Sequence, residues 1–327
     1  MSNQKTVLIT GGAGFIGSHV AKALFKEGYT PVVYDNLQHG HAEFVKWGPL
    51  VQGDLNDPLK LMATLQTYAP IGVIHMAALT DLRVSMQDPA SYYRVNLAGS
   101  LTLLEAMEKC GIRFCIFSST AAIFGIPEKM PIDETSTENP ISPYGRSKWM
   151  VEQILKDFEM AYGLRFASLR YFNAAGADPD GELGENHSPP SHLIPIVIDK
   201  VLSKKEPLSV FGTDHPTKDG SAVRDYIHVS DLADAHVKAL QYIISNDTSL
   251  FLNLGSGNGH SVFEVIQEVE TVAQLPVPLS LQKAKAGDPH ILICNNTQAK
   301  EILNWTPQYS SLAQMVQTSF AWQQKQC

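Results

Sequence analysis

Tyr144 and Lys148 are the two residues whose types and spacing best fit proton-transfer chemistry. They lie four residues apart near the start of a predicted helix (residues 143–161), so they share one face of it. An ammonium group beside a phenol favours the phenolate and lowers a pKa that is about 10 in water. Such a phenolate can take the proton from a hydroxyl group while hydride leaves the same carbon. We therefore predict Tyr144 as the base and acid of a redox step, with Lys148 tuning its pKa.

A third hydroxyl group lies just before this pair. Thr120 follows an apolar segment (residues 113–117) that reads as a strand, and its side chain could hydrogen-bond the same reacting oxygen. Taken alone, Thr120 is better explained as the cap of a turn or helix. The Tyr-x-x-x-Lys spacing alone is also common by chance. The single match in this sequence falls just after the fifth predicted strand, where it can face a ligand bound beyond the strand ends, and this favours the catalytic interpretation.

Three glycines follow the first strand (residues 6–10) at intervals of three: Gly11, Gly14 and Gly17. A strand that turns sharply into a helix needs one residue free to adopt positive φ and one without a side chain where a pyrophosphate approaches. The helix N-terminus then offers unpaired N–H groups to phosphates. The alternative is a tight structural turn. Asp35 ends the second strand (residues 31–34), at the distance expected of the acid that binds the adenosine ribose, and it favours NAD over NADP.

Strands alternate with helices through the first half of the chain, which predicts an α/β fold with a Rossmann-type, doubly wound parallel sheet. Further strands are expected at residues 50–54, 71–75, 113–117 and 165–169, and helices at 18–26, 58–68, 89–109 and 143–161. Ligands bind beyond the carboxyl ends of such strands. The strand-end residues Asp35, Asp54, Ala77, Thr120 and Asn173 should therefore line one edge.

The regular alternation of strands and helices ends after Asn173. Residues 174–190 are rich in Gly, Pro, Asp and Asn, which indicates a loop and a domain boundary. We predict an NAD-binding domain at residues 1–175 and a smaller mixed α/β substrate-binding domain at residues 176–327, with some segments interleaved. In the second half, helices are expected at residues 194–203 and 230–245, and a strand at 208–211.

Composition excludes several functional classes. The formal net charge is −8 and no Lys/Arg run occurs, which disfavours nucleic acid as a partner. The four cysteines form no C-x-x-C pair, and no apolar run reaches the ~20 residues of a membrane span. His187 and His192 have no evident third ligand nearby in the sequence, so no metal site is predicted. A reduced, cytoplasmic protein without a membrane partner is the expectation.

Six segments together resemble the extended short-chain dehydrogenase/reductase superfamily and, within it, the UDP-glucose (UDP-galactose) 4-epimerases. They are TGGAGFIGSH (residues 10–19), YDNL (34–37), FSSTAAIFG (117–125), SPYGRSK (142–148), LRYFNAAGA (169–177) and VRDYIHV (223–229). The last two are much more specific than the glycine motif. The resemblance covers nearly the whole chain.

The resemblance implies a set of site residues. NAD would be bound by Gly11, Gly14, Phe15, Ile16, Gly17, Asp35, Asn36, Asp54, Leu55, Ala77, Asn96, Tyr144, Lys148 and Tyr171. The UDP-hexose would be bound by Thr120, Tyr144, Asn173, His192, Leu193, Ser209, Phe211, Arg224, Tyr226, Lys285, Asp288 and Leu292. Arg224 and Lys285 suit a diphosphate, Phe211 suits uracil and Asp288 suits ribose hydroxyls. Singly, each could instead be an ordinary surface or core residue. Lys285 and His192 depart from the usual Arg and Asn of the family.

The implied reaction is the interconversion of UDP-glucose and UDP-galactose. Tyr144 takes the C4 hydroxyl proton while C4 is oxidised by NAD, the 4-keto sugar rotates, and re-reduction inverts C4. Related dehydratases and decarboxylases carry an acid just after the strand-end Thr or Ser. Ala121 and Ala122 stand there in this chain, which disfavours elimination chemistry.

Several alternatives remain at this stage. A UDP-N-acetylglucosamine 4-epimerase, or an enzyme that takes both sugars, depends on Leu292, whose size is intermediate at a position thought to gate N-acetylated sugars. A non-catalytic NAD-binding protein should have lost Tyr144 or Lys148, and this chain keeps both. A net dehydrogenase would release NADH in each cycle. The family analogy also implies a homodimer, formed through helices 89–109 and 144–161.

Overall fold

Short apolar strands separated by helices build the central sheet of this protein. The computed structural model describes residues 5–203, 206–283 and 289–326. The strands are β1 Thr6–Thr10, β2 Thr30–Asp35, β3 Leu50–Gln52, β4 Gly72–His75, β5 Phe114–Ser118, β6 Arg165–Tyr171, β7 Asn173–Ala175, β8 Leu208–Phe211, β9 Val223–His228, β10 Leu250–Leu254, β11 Gly259–Ser261, β12 Leu279–Gln282 and β13 Ile291–Leu292.

The helices lie between these strands in the order α1 Phe15–Lys26, α2 Pro58–Tyr68, α3 Leu82–Gln87, α4 Pro89–Tyr92, α5 Gly99–Lys109, α6 Pro143–Tyr162, α7 Leu193–Ser203, α8 Val229–Asn246, α9 Val262–Ala273, α10 Thr297–Leu303 and α11 Leu312–Gln324. Capping fixes several of their ends. Ser142 caps α6 through its side chain and Gly163 ends that helix in the left-handed region, as capping preferences predict.

The central sheet has seven strands in the order β10-β6-β5-β4-β1-β2-β3, and each neighbouring pair is parallel. Helices cover both faces because successive side chains of a strand point to opposite sides. Val7 and Ile9 of β1 pack in the core with α1 and α8, whereas Leu8 packs with α2, α5 and α6. The predicted fold class, a doubly wound parallel α/β sheet, is confirmed.

The seventh strand of this sheet comes from the second half of the chain. β10 pairs with β6, Leu252 lying beside Leu169. Helix α8 from the same half packs against α1. Both segments follow the predicted boundary between residues 175 and 176, so the sheet draws on both sides of it.

A second, smaller group of elements adjoins the carboxyl edge. β9 pairs with β7, β11 and β13, and β8 pairs with β12. Their core is formed with α7, α9 and α11 around Val197, Val265 and Met315, each fully buried. This mixed α/β group stands where the sequence predicts the substrate-binding half.

One predicted helix differs in form. Residues 89–109 were expected as a single α-helix, but a π-helical segment, Tyr93–Ala98, separates α4 from α5. Such segments often occur at functional sites because the wider turn redirects side chains. In this chain the wider turn lies at Asn96, whose amide group makes contacts described below.

Candidate active site

The glycine turn after β1 is built for a close approach from outside the chain. Gly11 has φ +72°, and a Cβ on it would lie 2.6 Å from the backbone nitrogen of Ala77. A Cβ on Gly17 would lie 2.2 Å from the carbonyl oxygen of Gly11. Gly14 differs, because its nearest neighbour would be 3.4 Å away. Gly11 and Gly17 are therefore required by the fold, while Gly14 leaves a space that the protein itself does not need.

Helix α1 begins at that space. Gly14 is its N-cap residue, no side chain caps the helix, and its first turn carries no acidic residue. The backbone N–H groups of Phe15, Ile16 and Gly17 thus point toward the carboxyl edge, with the partial positive charge of the helix N-terminus behind them. The Phe15 ring itself is buried and packs edge-on against His19 at 5.4 Å. This cradle fits a dinucleotide pyrophosphate.

Asp35 lies at the end of β2, beside the glycine turn. One carboxylate oxygen accepts a hydrogen bond from the backbone N–H of Ala13 at 3.0 Å, and the other accepts from that of Leu37 at 2.8 Å. Carboxylate oxygens have about four acceptor sites, so this group can still accept from ribose hydroxyls. The acid predicted for the adenosine ribose therefore lies against the pyrophosphate cradle.

The neighbouring strand ends add a second set of predicted cofactor residues. Asp54 accepts hydrogen bonds from the side chain of Asn36 at 2.8 Å and from the backbone of Asn56 at 2.8 Å. These hydrogen bonds hold the pKa of Asp54 below its usual value. Leu55 is buried in the core beneath them, and Ala77 packs on the same core cluster.

Asn96, predicted to bind NAD, is buried by protein contacts. Its amide nitrogen donates to the carbonyl of Leu79 at 2.9 Å and to the Ser147 hydroxyl at 3.1 Å, and its oxygen accepts from the Leu79 N–H at 2.8 Å. The side chain thus joins the loop after β4 to the helix that carries Tyr144. Its direct contact with the cofactor stays a prediction.

The predicted catalytic residues converge at the carboxyl end of β5. The Thr120 side chain lies near the phenol of Tyr144 and opposes the rise of its pKa, and it accepts a hydrogen bond from the backbone N–H of Ala122 at 3.1 Å. The Lys148 ammonium nitrogen donates to the carbonyl oxygen of Ser118 at 2.8 Å. Thr120 is therefore both the turn cap and the hydroxyl neighbour of Tyr144, the two roles considered for it.

Burial sets the charge states of this pair in a way the sequence did not predict. Burial raises the pKa of Tyr144, and the Thr120 side chain only partly opposes it. Burial also lowers the pKa of Lys148, from 10.5 to about 7. Both shifts arise because a dry environment disfavours the charged form. In the protein alone the expected lowering of the phenol pKa is absent, since Lys148 bonds a neutral carbonyl and is itself poorly charged.

Tyr171, at the end of β6, is the last of the predicted cofactor residues. Its hydroxyl hydrogen-bonds the Ser118 side chain, and burial raises its pKa. Its ring lies 5.8 Å from that of the buried His236. Tyr171 thus faces the same strand end that Lys148 contacts.

Four predicted substrate residues lie together where the second sheet meets the first. Asn173 of β7 pairs with Tyr226 of β9, and its side chain donates to the carbonyl of Asp225 at 2.8 Å. Leu292 of β13 pairs with Arg224 of β9 and packs on the cluster that contains Phe124. Tyr226 is 5% exposed, so its ring is mostly core.

The remaining nucleotide-side predictions divide into two groups. Ser209 and Phe211 lie on β8 with exposed side chains, Phe211 at 40% exposure. Lys285 and Asp288 lie outside the described residues, so their predicted contacts with phosphate and ribose stay predictions.

Helix α7 begins at Leu193, directly after His192. Here the structure adds residues that the sequence analysis missed. Glu185 is buried, and its two carboxylate oxygens hydrogen-bond His187 and His192, each at 2.9 Å. Burial alone would raise the pKa of Glu185, but His192 and His187 outweigh it and bring it to about 2. Glu185 in turn raises the pKa of His192 against the effect of burial.

The three side chains Glu185, His187 and His192 bring their ligating atoms within 4.8 Å of one another. Each imidazole Nδ1 already has a carboxylate partner, so two histidine–carboxylate hydrogen bonds account for the arrangement. No sequence pattern indicates this cluster, because Glu185 is an acid in a loop that only tertiary packing buries.

Comparison with known proteins agrees with this geometry. The model of the NAD dependent epimerase/dehydratase family matches residues 7–255. A UDP-glucose 4-epimerase of Rhizobium meliloti (strain 1021) is 48% identical over 316 residues, which cover 97% of this chain and 96% of the relative.

Two solved structures are similar over nearly their whole length. The UDP-glucose 4-epimerase from Brucella ovis in complex with NAD has a TM-score of 0.95 and 46% identity, with 97% of each chain covered. The UDP-glucose 4-epimerase from Bifidobacterium longum in complex with NAD+ and UDP has a TM-score of 0.91 and 34% identity, with 98% of each chain covered.

Proposed function

Since the chain belongs to the NAD dependent epimerase/dehydratase family, we propose that it interconverts UDP-glucose and UDP-galactose with NAD as its cofactor. The observation that carries the proposal is the meeting of Tyr144 and Thr120 at the end of β5, on the sheet edge where the glycine cradle opens. The similar proteins named above are UDP-glucose 4-epimerases, which favours the unsubstituted hexose over the N-acetylated alternative.

The glycine cradle holds the cofactor in this proposal. Backbone N–H groups at the start of α1 bind the pyrophosphate, and Asp35 binds the adenosine ribose. Asp54 and Asn36 border the adenine side, and Tyr171 borders the nicotinamide side. When bound, NAD supplies the reversible oxidation of the C4 alcohol to a ketone, and its cationic ring adds positive charge to a site where burial disfavours the phenolate.

Tyr144 moves the proton. Its phenolate oxygen takes the proton of the C4 hydroxyl as C4 is oxidised, and its hydroxyl returns that proton when C4 is re-reduced. Thr120 lies near the phenol and can donate a hydrogen bond to the same sugar oxygen. Lys148, fixed on the Ser118 carbonyl, would contact NAD, and it supports the anionic form of Tyr144 when it is charged.

The second half of the chain holds the nucleotide. Arg224 offers a bidentate cation to the diphosphate, and Phe211 offers an exposed ring to uracil. Asn173, Leu193 and Leu292 border the hexose. With the UDP part held on these residues, the hexose ring alone turns between two presentations of C4 to Tyr144, which is what inversion requires.

Proton NMR of UDP-glucose with purified protein and no added cofactor tests this function. The appearance of UDP-galactose supports both the reaction and resident NAD, and UDP-N-acetylglucosamine in a parallel tube tests the alternative. No change in either sugar, even after NAD is added, contradicts the proposal.

Assembly as a homodimer is also part of the proposal. Leu101 on α5 and both Met160 and Tyr162 on α6 are exposed apolar side chains, Met160 at 79% exposure. A two-fold axis between these helices would cover them. Light scattering of Met160→Asp should show a monomer, while Leu59→Asp on α2, at an 80% exposed leucine, should stay dimeric. A monomeric native protein would contradict the dimer.

Two organisational proposals follow. We assign NAD binding to residues 1–175 and UDP-sugar binding to residues 176–327. Two segments of the second part, α8 and β10, pack with the elements of the first part: β10 joins the central sheet beside β6, and α8 packs against α1.

In the described chain no helix is long and apolar enough to cross a membrane. A cytoplasmic location is supported by the free thiols of Cys110, Cys115 and Cys294.

A further inference from the structure

Glu152 is a fully buried carboxylate on the helix that carries Tyr144 and Lys148. It lies one turn beyond Lys148 on α6 and is 0% exposed. Its Oε1 accepts hydrogen bonds from Ser119 at 2.6 Å, Ser168 at 2.7 Å and the Nε of Arg170 at 3.0 Å. A charge this deep in the core calls for an explanation, because burial of an ion is costly unless it is paired.

The pairing is complete. Arg170 donates from its terminal nitrogen to Oε2 of Glu152 at 2.6 Å and also pairs with Glu138. Glu138 in turn accepts from the indole N–H of Trp149 at 2.7 Å. Replacement of such a network by apolar groups is often neutral or stabilising, so stability is a weak reason for its presence. Networks of this kind instead fix the relative positions of the elements they join.

The elements joined here are α6 and the end of β5. Ser119 lies between Ser118, whose carbonyl receives the Lys148 ammonium, and Thr120, whose side chain lies near the Tyr144 phenol. Ser119 is 0% exposed, and its hydroxyl donates to Glu152. Glu152 thus holds the middle residue of a segment whose two neighbours contact the catalytic pair.

We propose that Glu152, neutralised by Arg170, is a positioning residue for epimerisation: through the Ser119 hydroxyl it fixes Thr120 and Ser118 relative to Tyr144 and Lys148. It touches neither substrate nor cofactor in this role. The proposal rests on the proposed function, since the geometry it maintains matters only for the proton transfer by Tyr144.

Two serines provide a matched test. Ser119→Ala and Ser168→Ala each remove one buried hydrogen bond to the same oxygen of Glu152, and both serines are 0% exposed. Only Ser119 adjoins Thr120. We expect Ser119→Ala to lower kcat by about tenfold, since small misplacements of catalytic groups carry large rate costs. We expect Ser168→Ala to lose a similar amount of thermal stability and to keep kcat within about twofold. KM for UDP-glucose should be unchanged in both.

Glu152→Gln tests the charge directly, with Glu159→Gln as its control. Glu159 pairs with Arg165 at 3.3 Å and so joins α6 to β6, the strand that carries Ser168 and Arg170, far from Tyr144. We expect Glu152→Gln to lower kcat more than Ser119→Ala does and Glu159→Gln to leave it unchanged. If Glu152→Gln does not fold, the serine pair alone decides.

The kinetic results of the serine variants decide whether Glu152 has this positioning role. A selective fall of kcat in Ser119→Ala supports the proposal. Equal effects in the two serine variants, no effect in either, or losses confined to KM overturn it and leave the network a structural feature. Failure of the proposed function would be visible separately, as a native protein that does not epimerise UDP-glucose.

Discussion

Asp35 holds Ala13: the carboxylate at the end of β2 accepts a hydrogen bond from the backbone of the turn after β1, at 3.0 Å. The residue expected to bind the adenosine ribose and the turn expected to bind the pyrophosphate are thus one rigid unit. Gly40 packs directly against this unit, since a Cβ there would lie 2.9 Å from the same carboxylate. Cofactor binding should therefore depend on backbone geometry as much as on side chains.

Two glycine substitutions distinguish a role in cofactor binding, expected at Gly14, from a role in the stability of the fold, expected at Gly17. We expect Gly14→Ala to keep the thermal stability of the protein, since its new methyl group meets only ordinary contact at 3.4 Å. It should weaken NAD binding by about tenfold, or about 1.4 kcal/mol, because the methyl occupies the pyrophosphate space. Gly17→Ala, whose methyl would lie 2.2 Å from a carbonyl oxygen, should instead destabilise the fold by about 1–3 kcal/mol. Melting temperature and the cofactor content of the purified variants measure both; full NAD content in Gly14→Ala would argue for a purely structural turn.

Removal of the Tyr144 hydroxyl should abolish proton transfer while preserving the fold. We expect Tyr144→Phe to lower kcat by about 10²- to 10⁴-fold, the usual contribution of a general acid and base. NMR of UDP-glucose conversion measures the rate. Tyr309→Phe is the control, because it makes the same change at a 39% exposed position outside α5 and α6. Comparable activity in the two variants would remove Tyr144 from the mechanism.

Lys148 should lower the free energy of unfolding of the protein at neutral pH. Burial lowers its pKa from 10.5 to about 7, so between these values the unfolded chain binds a proton that the folded chain does not. Stability therefore rises with pH across that window, by about 1.4 kcal/mol per unit. We expect Lys148→Met to be inactive yet more stable than the native protein at pH 7, by about 2 kcal/mol after the lost hydrogen bond is discounted.

Urea unfolding of native protein and Lys148→Met at pH 7 and pH 9 measures that difference. The advantage of the variant should shrink as pH rises toward 10.5, the unfolded value. An advantage that does not change with pH would show that Lys148 is charged in the fold.

The Glu185–His192 pair should give the opposite pH dependence above neutrality. The pKa of His192 is raised, so the stability it contributes is fully present below its unfolded value of 6.5 and is lost as pH rises through the folded value. The pKa of Glu185 is lowered from 4.5 to about 2, so its contribution is complete above 4.5. We expect Glu185→Gln to be most destabilising between pH 4.5 and 6.5 and to lower the pKa of His192.

Histidine NMR titration and urea unfolding at pH 5.5 and pH 8.5 measure the two effects. His187→Gln, which removes the other hydrogen bond to the same carboxylate at the same 2.9 Å, is the matched control and should move the His192 pKa less. An unchanged His192 pKa in Glu185→Gln would contradict the pairing.

Local pattern alone predicted most of the sheet and the position of the catalytic pair. Apolar runs such as residues 6–10 and 165–169, separated by amphipathic helices, led to parallel strands, and their ends fell within two residues of those observed. The six segments then pointed to Tyr144, Thr120 and the glycine turn as site residues, and those roles stay predictions. Periodicity could not show that β10 joins β6, because that pairing spans more than 80 residues of sequence.

The sequence by itself determined the alternation of strands and helices in the first half of the chain, the residue types at those strand ends and the family, because these follow from local spacing and from specific motifs. The tertiary structure decided the protonation states and the hydrogen-bond partners of those residues. It buried Lys148 and Tyr144 together, so that both pKa values move toward the neutral forms. It also brought Glu152 under Ser119 and Glu185 between two histidines. Burial and long-range pairing set these properties, and neither is encoded in the spacing of neighbouring residues.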